Sequence, residues 1–232
     1  MQSSDFPIIE GPNYDLGKIQ KEFVFRRAQE HIFLHTLYQS NASLFHYEVL
    51  KKDRRKPNVP IDYRVHYFIR SIIGIEEDES PQYQDSHVLR IQLPSNFPLQ
   101  PAICKFETPV WHPNVKYTGY RKGHICTNTE GFGSLFSLDQ LVVRIGEMLQ
   151  YKKYFAIPYQ APLPEDKTVA AWIRSYAEVQ GIVNKNTGIV LDDTAWIKTW
   201  ELSDSKKKIR IIKKKNSADQ NGSSPGISIS EV

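Results

Sequence analysis

The fold is decided by residues 97–128, which read FPLQPAICKFETPVWHPNVKYTGYRKGHICTN. Residues 102–107 within this stretch alternate between two faces, a period of two that predicts a strand with one face in a core. Ala102, Cys104 and Phe106 share the apolar face. The alternation therefore places the Cys104 thiol inside the core.

The other cysteine, Cys126, follows an irregular loop instead of a strand. That loop carries two glycines and three basic side chains, which are Gly119, Arg121, Lys122, Gly123 and His124. Positive neighbours favour the thiolate, which is the reactive form of cysteine. Cys126 is therefore predicted to be exposed, electropositive in its surroundings and chemically active. For His124 the simpler interpretation is a loop histidine that only makes local hydrogen bonds.

Four short motifs follow one another in this stretch: FPLQP at 97–101, CKF at 104–106, HPN at 112–114 and GHIC at 123–126. Their order resembles the signature of ubiquitin-conjugating enzymes, in which a Tyr-Pro-x-x-Pro-Pro turn, a strand, His-Pro-Asn and the thioester cysteine succeed one another. From Pro98 to Asn114 the spacing matches without a gap. The resemblance implies an α+β fold with an N-terminal helix, a four-stranded antiparallel meander and C-terminal helices.

The resemblance also implies a transferase reaction. An adenylating activating enzyme, which consumes ATP, would pass ubiquitin or a ubiquitin-like modifier to Cys126 as a thioester. The modifier would then move to a lysine amine of a target protein. Such an enzyme needs no cofactor and no metal of its own.

Three further roles come from the family. Asn114 would donate a hydrogen bond to the oxyanion that forms when an amine attacks the thioester, although asparagines in turns also pin their own backbone. His112 is expected to buttress the turn more than to act as a base. An acid beyond the following helix usually orients the acceptor lysine, and Glu165 and Asp166 are equal candidates for it.

Three features depart from the family pattern. The interval between His112 and Cys126 is longer than usual, so that residues 117–122 form an insertion beside the cysteine. Residues 131–136 replace the expected Trp-x-Pro segment, and Ala102 replaces the second proline of the turn, whereas Leu99 keeps its apolar, ligase-contacting position. These departures leave the ligase undecided. They indicate a divergent or prokaryotic-type member, such as those of bacterial conjugation operons linked to phage defence.

The composition indicates one main globular domain with extensions. The chain has 232 residues, 40% of them hydrophobic and 24% charged. Seven of the basic residues fall within 206–215, and removing them changes the net charge from +4 to −3. We therefore predict a catalytic domain over 16–180, an extension packed on it over 181–204, as a short hairpin or a helix, and a flexible basic tail over 205–232.

Apolar spacing places the remaining elements along the chain. A helix is predicted from 16 to about 38, with Phe25, Ala28 and Ile32 on its apolar side. Strands are predicted over 45–49, 63–70 and 89–93, and the loop-like connections between them favour antiparallel neighbours. Ser137 and Gln140 form a capping box at the start of a second helix, which presents one buried stripe. A third amphipathic helix is centred on 169–177.

Four basic side chains fall on the other faces of the first predicted helix: Lys18, Lys21, Arg26 and Arg27. By resemblance they would contact the activating enzyme, and an ordinary solvated face explains them equally well. Two free cysteines and the lack of a signal peptide or a membrane-length apolar run indicate a cytoplasmic protein without a membrane partner.

Three other functions compete with conjugation. A catalytically inactive member of the same fold could bind a ubiquitin-like modifier, but such a protein would need neither Cys126 nor Asn114. A cysteine hydrolase using Cys126 and His112 would need a base on the thiol, which no spacing indicates. Nucleic-acid binding by the lysine tail is disfavoured because no aromatic residues interleave with the lysines.

Overall fold

The structure is a computed structural model that describes residues 3–55, 57–125, 136–152, 154–184 and 188–189. The strands are, in chain order, β1 (Phe45–Lys52), β2 (Pro60–Tyr67), β3 (Ser71–Ile75), β4 (Pro81–Gln84), β5 (His87–Gln92), β6 (Ile103–Phe106), β7 (Val183–Asn184) and β8 (Gly188–Ile189). The helices are α1 (Glu22–Asn41), α2 (Leu138–Leu149) and α3 (Lys167–Trp172), which continues as a π-helical turn over Ile173–Ala177.

The central sheet has the strand order β1-β2-β5-β6, and every neighbouring pair is antiparallel. The register joins Tyr47, Val65, Leu89 and Phe106 into one row across all four strands. Each of these side chains is buried, because residues on the same face of successive strands line the same side of a pleated sheet. The predicted α+β fold with a four-stranded antiparallel meander is confirmed.

Helix α2 packs its apolar stripe against the buried face of this sheet. Leu138, Leu141, Val142, Ile145, Met148 and Leu149 are all buried in the same core as the sheet residues. The Tyr67 hydroxyl donates a hydrogen bond of 3.1 Å to the Val142 carbonyl, so the sheet and the helix also meet through a polar contact. The capping box of Ser137 and Gln140 is present. The second predicted helix is therefore confirmed, with its cap and its buried face.

The first helix begins later than predicted. Residues 16–18 form only a single 3-10 turn, the backbone is extended at Ile19 and Lys21, and α1 starts at Glu22. Leu16 and Ile19 pack with Tyr14 against a small separate cluster that contains Val24, Ala28 and Val59. The segment before Glu22 thus packs as a separate turn and extended stretch and not as part of α1, so the predicted start at residue 16 is wrong.

The buried face of α1 also differs from the prediction. Phe25 and Ile32 are only half-buried, whereas Arg27 is 1% exposed. The Arg27 guanidinium donates to the Asp53 carboxylate at 2.8 Å and to the Pro94 and Ser95 carbonyls at 2.7 Å each. A buried cation is tolerated when it is paired and hydrogen-bonded in this way. Arg27 therefore anchors the helix inside the protein and does not present a binding surface.

The connection between β2 and β5 contains structure that the sequence analysis missed. A loop-like connection is predicted there, but β3 and β4 form an antiparallel hairpin over Ser71–Gln84. The hydroxyl of Ser71 donates to the Leu149 carbonyl at 2.6 Å, and Ile72 is fully buried beside Trp111. The hairpin thus contacts the residue that directly precedes the turn at 112–114.

Helix α3 and the hairpin of β7 and β8 lie against a second cluster around Trp111, Tyr151 and Trp172. The third predicted amphipathic helix is confirmed, with Val169, Trp172, Ile173 and Ala177 buried. The Ile189 amide donates to the Gln150 carbonyl at 3.0 Å, so the start of the C-terminal extension contacts the domain as a hairpin. Residues 190–232, including the basic tail, lie outside the described residues. None of the helices described is long and apolar enough to cross a membrane.

Candidate active site

His112 stands at the start of a buried turn. Its ring is 0% exposed, and its Nδ1 accepts a hydrogen bond of 3.1 Å from the Asn114 backbone N–H. Burial lowers the pKa of His112 to about 3, so the ring is neutral at physiological pH. A neutral ring whose Nδ1 accepts carries its proton on Nε2. This arrangement fits the predicted buttressing role and does not favour a general base.

Among the described residues, one hydrogen bond orients the Asn114 side chain. Its Oδ1 accepts a hydrogen bond of 3.0 Å from the Phe155 backbone N–H, and that donor fixes which end of the amide is oxygen. The Nδ2 amide is shielded from solvent and has no acceptor among the described residues. An unpaired buried donor costs ~1–3 kcal/mol. Such a cost in a native turn requires an explanation. One explanation is that a reaction intermediate accepts a hydrogen bond from the Asn114 Nδ2.

The chain returns to this turn just before the candidate nucleophile. Ile125 forms a β-bridge with Val115, and its backbone N–H donates to the Cys104 carbonyl at 3.2 Å. The residue that precedes Cys126 thus lies opposite the residue that follows Asn114. Cys126 itself lies outside the described residues.

Gly123 makes this return possible. Its φ is +85°, a left-handed conformation that favours glycine, and an added Cβ would lie 2.2 Å from the Phe106 carbonyl oxygen. Its carbonyl accepts the Phe106 N–H at 2.8 Å, and its own N–H donates to Lys116 at 2.7 Å. The predicted insertion at 117–122 is therefore a closed loop whose base is held between β6 and Lys116.

The other cysteine, Cys104, is unsuited to catalysis. Cys104 is 1% exposed on the core face of β6, as predicted. Burial raises the pKa of its thiol to about 12, so the thiolate is negligible at neutral pH. The alternation of residues 102–107 was sufficient to place Cys104 in the core, whereas the exposed position predicted for Cys126 lies outside the described residues.

The two candidate acids have different surroundings. Both backbone N–H groups donate to the Pro113 carbonyl, at 2.8 Å from Glu165 and 3.2 Å from Asp166. Asp166 is 5% exposed and caps α3, accepting from the N–H groups of Thr168 and Val169. Its other oxygen accepts from the Tyr117 N–H at 3.3 Å. The Glu165 carboxylate, by contrast, is partly exposed and has no hydrogen bond or ion pair within the described part of the chain.

Comparison with known proteins decides the family. The sequence profile described as "Ubiquitin-conjugating enzyme" matches residues 45–164, just over half of the chain. The chain belongs to the ubiquitin-conjugating enzyme family. The predicted resemblance is confirmed. The matched segment contains the whole central sheet and the buried turn, and it ends one residue before Glu165.

Solved structures of ubiquitin-conjugating enzymes are similar to this chain. Human ubiquitin-conjugating enzyme E2 G1 is 18% identical with a TM-score of 0.36, over 52% of this chain and 91% of that one. The Plasmodium vivax enzyme is 24% identical with a TM-score of 0.34, over 52% and 98%. A structure described as a novel ubiquitin-conjugating enzyme is 16% identical with a TM-score of 0.43, over 69% and 94%.

The partner-binding residues predicted for this family member differ in their exposure. Leu99 is 73% exposed, and Lys21 is exposed at the start of α1. Lys18 is exposed and pairs with Asp15 at 3.1 Å. Arg26 is one-third exposed and pairs with Glu30 at 2.5 Å. Only Arg27, which is buried, is removed from the predicted contact surface.

Sequence reasoning missed two contacts that hold the elements around the candidate site. The first is the Phe155 N–H that orients Asn114. The second is Glu30, a fully buried carboxylate on α1 that accepts the Leu138 N–H at the start of α2. Neither has a local sequence signal, because each joins residues far apart in the chain. Within the described residues, no group of three or more His, Cys, Asp or Glu side chains could hold a metal ion.

Proposed function

We propose that this chain is an active conjugating enzyme with Cys126 as its acyl carrier. In the first step the Cys126 thiolate attacks the thioester of a charged activating enzyme, and the activating enzyme's thiolate leaves. In the second step a lysine amine attacks the new thioester, an N–C bond forms, the C–S bond breaks, and the amine's proton is released. The activating enzyme consumes ATP, and the conjugating enzyme itself uses no cofactor.

The unpaired Nδ2 of Asn114 is the observation that supports catalysis most strongly. The second step develops negative charge on the thioester carbonyl oxygen, and a fixed amide donor stabilises that charge without a change of protonation. Trp111 Nε1 and His112 Nε2 are also buried without a partner among the described residues, so the place of Asn114 Nδ2 in the turn supports catalysis together with its missing acceptor. The position of Asn114 next to the Val115–Ile125 bridge, one residue from Cys126, supports the same role.

Glu165 is the better candidate for orienting the acceptor lysine. The Asp166 carboxylate is already engaged by the start of α3 and by Tyr117, so moving it would uncap a helix. Glu165 is held beside the turn through the Pro113 carbonyl while its carboxylate remains available. An ionised carboxylate there would attract and align a lysine ammonium before the proton is lost.

The partners follow from the family and from the departures in the sequence. The modifier is ubiquitin or a ubiquitin-like protein, and the activating enzyme would contact Lys18, Lys21 and Arg26 near the start of α1. Leu99 would provide the apolar part of a ligase contact if a ligase is used. The altered segment after Cys126 supports a divergent, cytoplasmic member, such as one from a bacterial conjugation operon that acts in phage defence.

A charging assay tests the proposal. The full chain is incubated with ubiquitin or a candidate ubiquitin-like modifier, the matching activating enzyme and ATP, and is then run on gels with and without reductant. We expect a reductant-sensitive adduct with the wild type and with Cys104→Ala, and none with Cys126→Ala. Binding of the modifier without any adduct, under conditions that charge a known conjugating enzyme, would support the inactive alternative.

A further inference from the structure

A cleft of about 430 Å³ opens on the outer side of β6 beside the candidate active site. One wall is the end of β6 and the chain that follows it, and the other wall is the segment 115–117 with the base of the inserted loop. Its lining includes Arg90, Lys105, Glu107, Lys116, Lys122 and Gly123. The cleft therefore exists because the loop at 117–122 is folded back against the sheet.

The charges of the cleft are unbalanced. Arg90 is neutralised by two hydrogen bonds to Asp62, at 2.6 and 3.0 Å, and Glu107 is neutralised by Arg64 at 2.8 Å. Lys105 and Lys122 are exposed and have no ion pair within the described ranges.

The third lysine, Lys116, is only loosely paired. Its ammonium lies 3.9 Å from the Asp166 carboxylate, which is already bound by three backbone N–H groups. The Lys116 ammonium also donates to the Glu165 carbonyl at 3.4 Å. Three lysines thus line one small cleft, in which Glu107 is paired with Arg64 and Asp166 is the carboxylate next to Lys116. Such a surface attracts anions.

The position of the cleft relates it to the transfer step. Gly123 lines the cleft and is three residues from Cys126, so the two positions are at most ~11 Å apart along the chain. Val115, also in the lining, is the neighbour of Asn114. Residues of a target protein that flank a lysine bound at Cys126 would therefore lie within reach of this cleft.

We propose that the cleft binds acidic side chains of the target protein and so selects lysines with Asp or Glu nearby in the sequence. An extended peptide advances ~3.3 Å per residue, so an acid roughly two to five residues from the acceptor lysine would reach the lysines of the cleft. This inference rests on the proposed function and names the substrate class for it. The determinants of specificity are Lys105 and Lys122, with Lys116 as a weaker third.

A short acidic segment fits the cleft better than a nucleic acid does. Single-stranded nucleic acids need a groove that follows several nucleotides and aromatic faces on which bases can stack. The Tyr117 ring in the lining is already in contact with other groups, since its centroid lies 5.7 Å from the Lys122 Nζ and 4.6 Å from the Trp111 ring centroid. The available volume accommodates a few side chains only.

The first test measures binding and does not depend on which modifier is used. A labelled peptide with one lysine followed by two glutamates at the third and fourth positions is titrated into the full chain, beside a matched peptide with glutamines. We expect the acidic peptide to bind roughly 3- to 10-fold more tightly at low salt, because exposed ion pairs contribute modestly and are screened by salt. The double variant Lys105→Ala/Lys122→Ala should lose this preference.

Lys51→Ala is the matched control. Lys51 is an exposed lysine on β1, at the opposite edge of the sheet, and its removal should leave the preference intact. Because the basic tail is present in every variant, its contribution to peptide binding is the same in all of these measurements. Equal preference in the wild type and the double variant, or stronger competition by a single-stranded oligonucleotide than by the acidic peptide, would overturn the proposal.

The second test measures transfer. Enzyme charged with the modifier is chased with the acidic peptide, the glutamine peptide or free lysine. We expect faster discharge to the acidic peptide by a similar factor, lost in the double variant and kept in Lys51→Ala, with the rate of discharge to free lysine used to normalise each variant. Discharge to free lysine with no peptide preference would refute the acidic selection alone, whereas a failure to charge would refute the proposed function as well.

Discussion

Replacing Asn114 by alanine separates the two chemical steps. Charging of Cys126 exchanges one thioester for another, whereas discharge to lysine builds the oxyanion that Asn114 Nδ2 is placed to hold. Loss of one oxyanion donor typically costs ~2.7–4 kcal/mol of transition-state stabilisation, which corresponds to roughly 100- to 1,000-fold in rate. We therefore expect Asn114→Ala to charge normally and to discharge to lysine at least about one hundredfold more slowly.

The effect of Asn114→Ala on stability should be small, because two contributions oppose each other. The variant leaves the Phe155 N–H without its acceptor, at ~1–3 kcal/mol if no water replaces it. It also removes the buried Nδ2, whose missing partner costs a similar amount in the wild type. The free energy of unfolding should thus change by less than ~2 kcal/mol, and slow discharge cannot then be attributed to unfolding.

The assay is a pulse-chase with a matched variant. The enzyme is charged, activation is quenched, lysine is added and the loss of adduct is followed. Asn114→Asp keeps an oxygen for the Phe155 N–H but removes the amide donor, so it should discharge as slowly as Asn114→Ala or more slowly. Discharge at the wild-type rate in either variant would refute the oxyanion role. Loss of charging in a normally folded variant would show that the turn acts before transfer.

Four other variants test the assignments around the site and in the core. Cys104→Ala should cost ~1 kcal/mol or more in unfolding free energy and leave charging intact; a folded variant that fails to charge would contradict its structural role. Asp166→Ala should destabilise the protein by ~1 kcal/mol through loss of the α3 cap. Glu165→Gln should leave stability unchanged and slow discharge by about tenfold or more. Loss of stability in Glu165→Gln together with slow discharge in Asp166→Ala would exchange the two roles. Burial lowers the pKa of His87 to about 4, so as the pH falls below ~6.5 the unfolded chain binds a proton that the folded chain does not. Wild-type stability should therefore drop, relative to His87→Gln, by ~1 kcal/mol between about pH 7.5 and 5.5, and a constant difference in chemical denaturation would contradict this.

Much of the fold was predictable because its central elements have local signals. Residues 102–107 alternate strictly, and burial follows the same alternation from Ala102 to Glu107. The apolar stripe of α2 and its Ser137–Gln140 capping box were also visible, since both depend on spacing within one element. The chain on either side of the candidate site could thus be placed from the sequence.

The errors occurred where a tertiary contact overrides a local pattern. Arginine is a residue type typical of a solvated helix face, but the partners that bury Arg27, at Asp53, Pro94 and Ser95, are distant in the sequence. The late start of α1 depends likewise on the packing of Leu16 and Ile19 against another cluster. The sequence offered no means of finding these contacts.

The candidate site was predictable in its residues and not in its hydrogen bonds. The HPN motif gave His112 and Asn114, but the direction of the Asn114 amide depends on one N–H from residue 155. The choice between Glu165 and Asp166 was equally hidden, because adjacent carboxylates look alike until one of them caps a helix.

The central claim is that the modifier is carried on Cys126, and the most direct measurement locates the thioester within the chain. After charging, free thiols are blocked with N-ethylmaleimide, the thioester is released with hydroxylamine, and the freed thiol is labelled with iodoacetamide. Trypsin then separates the two cysteines into the peptides 91–105 and 123–144. Our account predicts the second label on the peptide of Cys126 only, in an ATP-dependent manner. A label on the peptide of Cys104, or no hydroxylamine-dependent label on either peptide, would contradict it.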